Sequence, residues 1–148
     1  MDDIKIRYLR PDRAQACDAL VDLHQQCFRA CEFDPLLMAR AHWWLASDAR
    51  GRALGFAGLT AQPSGRGSGY LCRAGVVPRA RGQGVHRRLI RVRLAFARKT
   101  GLHDVVSDTW RNPGSAANLV ACGFESFRPH RPWGLSGALY WRNALGLR

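Results

Sequence analysis

Ala74-Gly75-Val76-Val77-Pro78-Arg79-Ala80-Arg81-Gly82-Gln83-Gly84-Val85-His86-Arg87 is the stretch on which the reading of this chain turns. An apolar run closed by Pro78 is a strand, Gly82 to Gly84 is a turn, and Val85, Leu89, Val92 and Phe96 then recur at helical spacing. Glycines in such a turn let the backbone approach a bulky anion. The first amides of the helix lack internal partners and point at that anion with the positive end of the helix dipole. The stretch fits neither GxxxxGK[ST] nor GxGxxG, so the common nucleotide loops are excluded. A helix entry that needs glycine only for a tight turn is the plainer reading of the same residues.

Upstream, residues 4–9 alternate as a strand, Arg10-Pro11-Asp12 interrupts them, and 13–27 reads as a helix. A short helix at 35–41 precedes a strand at 42–46, which the turn Asp48-Ala49-Arg50-Gly51 folds back onto a partner at 53–61. Residues 62–69 are a loop by composition, and 70–77 is the next strand. Beyond the long helix, which ends near Gly101, come a strand at 103–110, a short helix at 113–122 stopped by Gly123, and strands at 124–127 and 138–142. Strands alternating with helices over the whole length predict an α/β layered fold around one central sheet, with residues 1–148 as a single domain.

Composition agrees with that size. A chain of 148 residues and 16.5 kDa buries roughly 70% of its unfolded surface, and 47% apolar with 23% charged residues excludes a disordered tail. No apolar run nears the roughly 18 residues of a membrane span. Met1-Asp2-Asp3-Ile4 is acidic where a secretory signal would be basic and then apolar, so a cytoplasmic protein is expected. The cysteines, at 17, 27, 31, 72 and 122, are odd in number with no CxxC pair, which predicts mostly buried thiols in a reducing compartment. His24, Cys27 and Cys31 share a helical face, but no fourth ligand is evident and no metal is expected.

The net charge is +12, and the stretch between Asp48 and Asp104 holds twelve basic residues and no acid. Such a balance favours anionic partners: nucleic acid, an acidic surface, or the phosphates of a large cofactor. Arginines simply filling solvated positions would give the same count.

The turn and its surroundings resemble the GNAT superfamily of N-acyltransferases, whose motif is an apolar strand, a Pro, then [QR]xxGx[GA]. Arg81, Gly82, Gln83 and Gly84 fall in that register after Pro78. A second motif of the family, Asn with Ala or Ser three residues on and then Gly-Phe, is matched by Asn112, Ser115, Gly123 and Phe124. The resemblance runs from Ile4 to about Arg142. It implies a mixed sheet of about six or seven strands flanked by about four helices, with acetyl-CoA as cofactor. By the same resemblance the pantetheine arm pairs with backbone groups of Ala74 and Val76. The amides of Gly82, Gln83, Gly84, Val85, His86 and Arg87 hold the pyrophosphate, Arg81 or Arg87 adds charge, and Asn112 and Ser115 contact the far side. The chain departs from the family at His86, where Gly or Ala is usual, and at Leu119, where many members place a proton-donating tyrosine.

Transfer to an amine needs a base for the ammonium proton and a donor for the leaving thiolate. Asp108 lies four residues before Asn112 on the Val106 and Trp110 side of its strand, where apolar neighbours would raise its pKa toward that of a base. An ion pair with Arg111 or Arg73 is the alternative reading. Ser115, Tyr140 or water are the candidate donors. Glu32 and Asp34 border the expected acceptor site and could attract a cationic amine, or could cap the helix that begins at Pro35. Tryptophans 43, 44, 110, 133 and 141 read mainly as core.

The expected function is therefore acetyl transfer from acetyl-CoA to a primary amine by direct attack in a ternary complex. The alternatives are a degenerate coenzyme A sensor and a nucleic-acid-binding module built on the basic helix of residues 84–99. Nucleic acid ranks behind the amine acceptor as a partner, no membrane partner is expected, and exposed tryptophans with the late strands could serve a homodimer.

Overall fold

The structure is a computed structural model that describes residues 3–10, 12–29, 31–61 and 67–146. Met1 and Asp2, the interruption at Pro11, and positions 62–66 of the expected loop lie outside the described residues.

The chain runs β1 (Lys5–Leu9), α1 (Ala14–Cys27), α2 (Pro35–Arg40), β2 (His42–Ser47), β3 (Ala53–Ala61) and β4 (Ser68–Val76). After a 3-10 turn at Pro78–Ala80 come α3 (Val85–Lys99), β5 (Asp104–Thr109), α4 (Pro113–Ala121), β6 (Glu125–Ser126) and β7 (Leu139–Ala144). The strands form one seven-stranded sheet in the order β1-β2-β3-β4-β5-β7-β6, the mixed α/β arrangement the resemblance implied. All neighbours are antiparallel except β4 and β5, which α3 connects in the crossover that a parallel pair requires.

That parallel pair is short. Ser68, Gly69 and Tyr70 face Asp104, Val105 and Val106, after which the pairing stops although β4 continues to Val76 and β5 to Thr109. The strands diverge from that rung onward. The opposite edge of β4 is also irregular. Its register on β3 passes from Ala57↔Ala74 to Leu59↔Leu71, so Gly58 alone faces Cys72 and Arg73 in a bulge. A Cβ on Gly58 would lie 2.6 Å from both the Cys72 sulfur and the Trp43 ring, so only glycine lets those side chains pack there.

Leu20 and Leu23 of α1 cover one face of the sheet around Trp43 and Phe56. Helix α3 buries Val85, Leu89, Ile90, Arg93, Leu94 and Ala97. The helical spacing predicts Val92 and Phe96 in that stripe. Both apolar residues are only partly buried, Phe96 packing on Tyr8, His42 and Trp44, while Arg93 takes the centre of the buried face. Trp43, Trp44 and Trp141 are core as expected; Trp110 and Trp133 are exposed. The thiols are less buried than expected: Cys31 is exposed and the other four are intermediate. His24 stacks among Phe28, Phe33 and Phe56.

Candidate active site

Where β4 and β5 diverge, a cleft of about 1050 Å³ opens, walled by β4, the start of α3, Ser107 and Asp108 of β5, and the start of α4. Cys27, Phe28 and Leu37 line its other side.

The glycine turn forms one end. Gly82 and Gly84 have φ of +77° and +84°, and a Cβ on either would meet no atom within 4 Å, so their backbone faces open space. Gly84 is the N-cap of α3 and supplies no side-chain cap, and the first turn carries no acid. The amides at the start of this fifteen-residue helix are thus left for an external acceptor, and the residues present fit a diphosphate. Gln83 does not line the cleft; its side-chain amide donates to the Arg79 carbonyl at 3.3 Å and braces the turn.

The flanking side chains are tied to one another. Arg81 Nε donates to the Val76 carbonyl at 3.1 Å, so of the two backbone positions expected to pair with a ligand, Val76 already has this partner and Ala74 lines the cleft beside it. Arg87 Nε donates to Asn118 Oδ1 at 2.8 Å, which turns the other end of that amide, Nδ2, toward His86 Nδ1 at 3.1 Å. The amide donates, so the His86 proton sits on Nε2. Burial, followed by the nearby Arg93 charge, brings the His86 pKa down to about 4, and the ring is neutral near pH 7. Asn112 caps α4 by accepting the Ser115 amide at 3.0 Å, and both residues line the cleft.

The far end centres on Asp108. Its Oδ1 accepts from Tyr70 Oη at 2.5 Å and from Trp133 Nε1 at 3.0 Å. The ion pair weighed for it does not form: Arg111 lies over Trp110 and Arg73 over Phe28. Aromatic donors, not a wholly apolar wall, surround the carboxylate. Burial, and then Asp108 itself, pushes the Tyr70 phenol well above its ordinary range.

Three expected site residues lie elsewhere. Tyr140 pairs across from Asp108 on β7, but its hydroxyl accepts the Gly134 amide at 3.0 Å and its ring packs edge-on against Trp133, so it does not line the cleft. Asp34 is the N-cap of α2, its carboxylate accepting the Leu36 amide at 2.9 Å, which is the capping alternative. Glu32 is exposed and lines no part of the cleft. Leu119, at 2% exposure, puts hydrocarbon where the resemblance would place a phenol.

Sequence reasoning missed Tyr70, Asn118 and Arg93. Arg93 lines the cleft at 1% exposure, with Nε on the Leu89 carbonyl at 3.0 Å and Nη1 on the Gly58 carbonyl at 2.9 Å. The four-residue steps from Val85 through Leu89 to Arg93 carried the signal for it.

Residues 8–124 match the family model described as the acetyltransferase (GNAT) family. No curated protein matches the sequence. Among solved structures, the Salmonella typhimurium protein yncA, with its cofactor acetyl-CoA, superposes with a TM-score of 0.77 at 17% identity, covering 99% of this chain and 96% of that one. The ribosomal-protein-S18-alanine N-acetyltransferase of Escherichia coli gives 0.74 at 17% identity, covering 98% and 96%. A Bacillus subtilis acetyltransferase in complex with CoA gives 0.74 at 13% identity, covering 95% and 98%.

Proposed function

This chain belongs to the acetyltransferase (GNAT) family, and on that premise we propose that it moves an acetyl group from acetyl-CoA to a primary amine by direct attack in a ternary complex. The observation that carries this reading is the uncapped start of α3, with its acid-free first turn, opening onto the cleft where β4 leaves β5.

Acetyl-CoA supplies the acetyl group as a thioester when bound. The amides of residues 82–87 hold its diphosphate, with His86 Nε2–H and the Arg81 and Arg87 guanidinium groups adding donors. The backbone of Ala74 and Val76 would orient the arm, the Val76 carbonyl giving up its Arg81 bond to a ligand amide. Asn112 holds the first turn of α4 against the cleft and presents Ser115. Asp108 accepts the amine proton, directly or through water, so that the nucleophile is neutral. Tyr70 from the opposite wall and Trp133 from the connection between β6 and β7 fix its orientation.

Calorimetry with acetyl-CoA, followed by a thiol-release assay over a panel of small amines, amino acids and peptides, tests this. Submicromolar to micromolar binding with amine-dependent thiol release is the expected result; absence of binding overturns it. Buried Leu119 favours one second reading, a coenzyme A-binding sensor, which predicts binding with no release on any amine. The nucleic-acid reading loses part of its basic helix, because Arg93 is buried and turned into intramolecular bonds.

A further inference from the structure

Arg93 is a buried cation with no acidic partner among the described residues. Among the described residues, the ionisable groups acting on it are the thiols of Cys72 and Cys122, and it acts in turn on His86. Two of its three nitrogens are accounted for: Nε holds its own helix at Leu89, and Nη1 takes the Gly58 carbonyl at the β3–β4 bulge. Among the described residues Nη2 has no hydrogen-bond partner, and the side chain lines the cleft. No buried side-chain nitrogen or oxygen among the described residues lacks a partner, so the unbonded Nη2 faces the open cleft, where an anion can reach its donors. Burial brings its pKa down only to about 10, so it stays charged.

Its position along α3 says which anion. Arg93 lies eight residues past Val85, about 12 Å at 1.5 Å per residue. A pantetheine arm is close to four extended residues, on the order of 13 Å. An arm anchored at the helix start therefore reaches the depth of Arg93, in the cleft that Leu119 and the first unpaired residues of β4 and β5 also line.

We propose that the Arg93 guanidinium binds the coenzyme A sulfur as a thiolate and so serves as the electrostatic donor for the leaving group. The inference rests on the acetyl-transfer reading above. In the step, the amine nitrogen bonds to the acyl carbon and the carbon–sulfur bond breaks. The sulfur leaves with the electron pair; Asp108 has by then taken the ammonium proton, and the second proton, shed as the amide forms, goes to water. Arg93 keeps its protons, stabilises the anion by charge-assisted donation, and releases it to be protonated from solvent. No acid is then required at Leu119.

The test compares binding of coenzyme A with desulfo-coenzyme A by calorimetry between pH 6 and pH 9. Desulfo-coenzyme A cancels the protein's own titrations, including those of His86 and Cys72. A guanidinium on the sulfur makes the affinity ratio rise about tenfold across this range, since a free thiol titrates near 8.5. The thiolate absorbance of bound coenzyme A rises at correspondingly lower pH. The rise is expected to persist in Arg93→Lys and to vanish in Arg93→Gln. Should the Gln variant fail to fold, the wild-type ratio and absorbance still decide. A flat wild-type ratio with tight binding of both ligands overturns this proposal alone. A flat ratio with preferential binding of a succinyl thioester assigns the guanidinium to an acyl carboxylate instead. Binding of neither ligand overturns the acetyl-transfer reading as well.

Discussion

Tyr70 and Asp108 meet across the divergence of β4 and β5, the phenol donating to Oδ1 at 2.5 Å from the last rung at which the strands pair. With Trp133 on the same oxygen, Asp108 is held by one carboxylate atom, and among the described residues Oδ2 has no hydrogen-bond partner. Replacing Asp108 by Asn keeps an oxygen for both donors and removes the base. Asp108→Asn is expected to lower kcat by about a hundredfold. Acetyl-CoA affinity should stay within about threefold. Steady-state kinetics with calorimetry checks this, and an equal loss of affinity would make Asp108 a structural residue.

Gly84 gives a test of the turn that separates folding from binding. At φ +84° a side chain is strained, at a cost of about 1–2 kcal/mol, but its Cβ meets no protein atom. Gly84→Val should therefore lower the Tm modestly and weaken acetyl-CoA binding by far more, at least about thirtyfold, because the added methyls stand where the diphosphate approaches the amides. Affinity unchanged in a folded variant would remove the cradle assignment.

His86 predicts how stability responds to acid. Its folded pKa, about 4, lies below the roughly 6.5 of the unfolded chain. Between these values the unfolded chain binds the extra proton, so the stability present above pH 6.5 is lost as pH falls toward 4, by about 3 kcal/mol. His86→Gln should flatten this part of the profile in urea unfolding from pH 4 to 7. An unchanged slope would place the acid sensitivity in other groups.

Much of this was legible because it rests on backbone requirements that residue type announces. Pro78, Gly82 and Gly84 punctuate a strand, a turn and a helix whatever surrounds them, and Asn112 before Pro113 is a helix cap by local chemistry alone. Asp34 before Pro35 carries that same capping pattern, yet it served equally well as an acceptor-site acid until its bond to the Leu36 amide was known. The phase of α3 was harder. Val92 and Phe96 fit a helical stripe as well as Ile90 and Leu94 do, and the choice is made by what α3 packs against: Phe96 covers Tyr8 and Trp44 at the sheet edge. Arg93 sits four residues past Leu89 on the buried stripe, but its burial also depends on the Gly58 carbonyl at a bulge, which spacing within α3 does not show. Tyr70 likewise became a site residue only through a register that brings Asp108 to it.

That bulge carries the last prediction. Gly58→Ala would set a methyl 2.6 Å from the Cys72 sulfur and the Trp43 ring, and Trp43 is fully buried with little room to retreat. Overpacking of this kind costs about 1–3 kcal/mol, and relief by moving β3 outward would also draw the Gly58 carbonyl away from Arg93 Nη1. Adding Cys72→Ala removes one of the two obstacles and should restore part of the lost stability. The single variant should lower the Tm, and the pair should be more stable than the sum of its separate changes. Strict additivity in thermal unfolding would show that Gly58 and Cys72 do not pack as they do here.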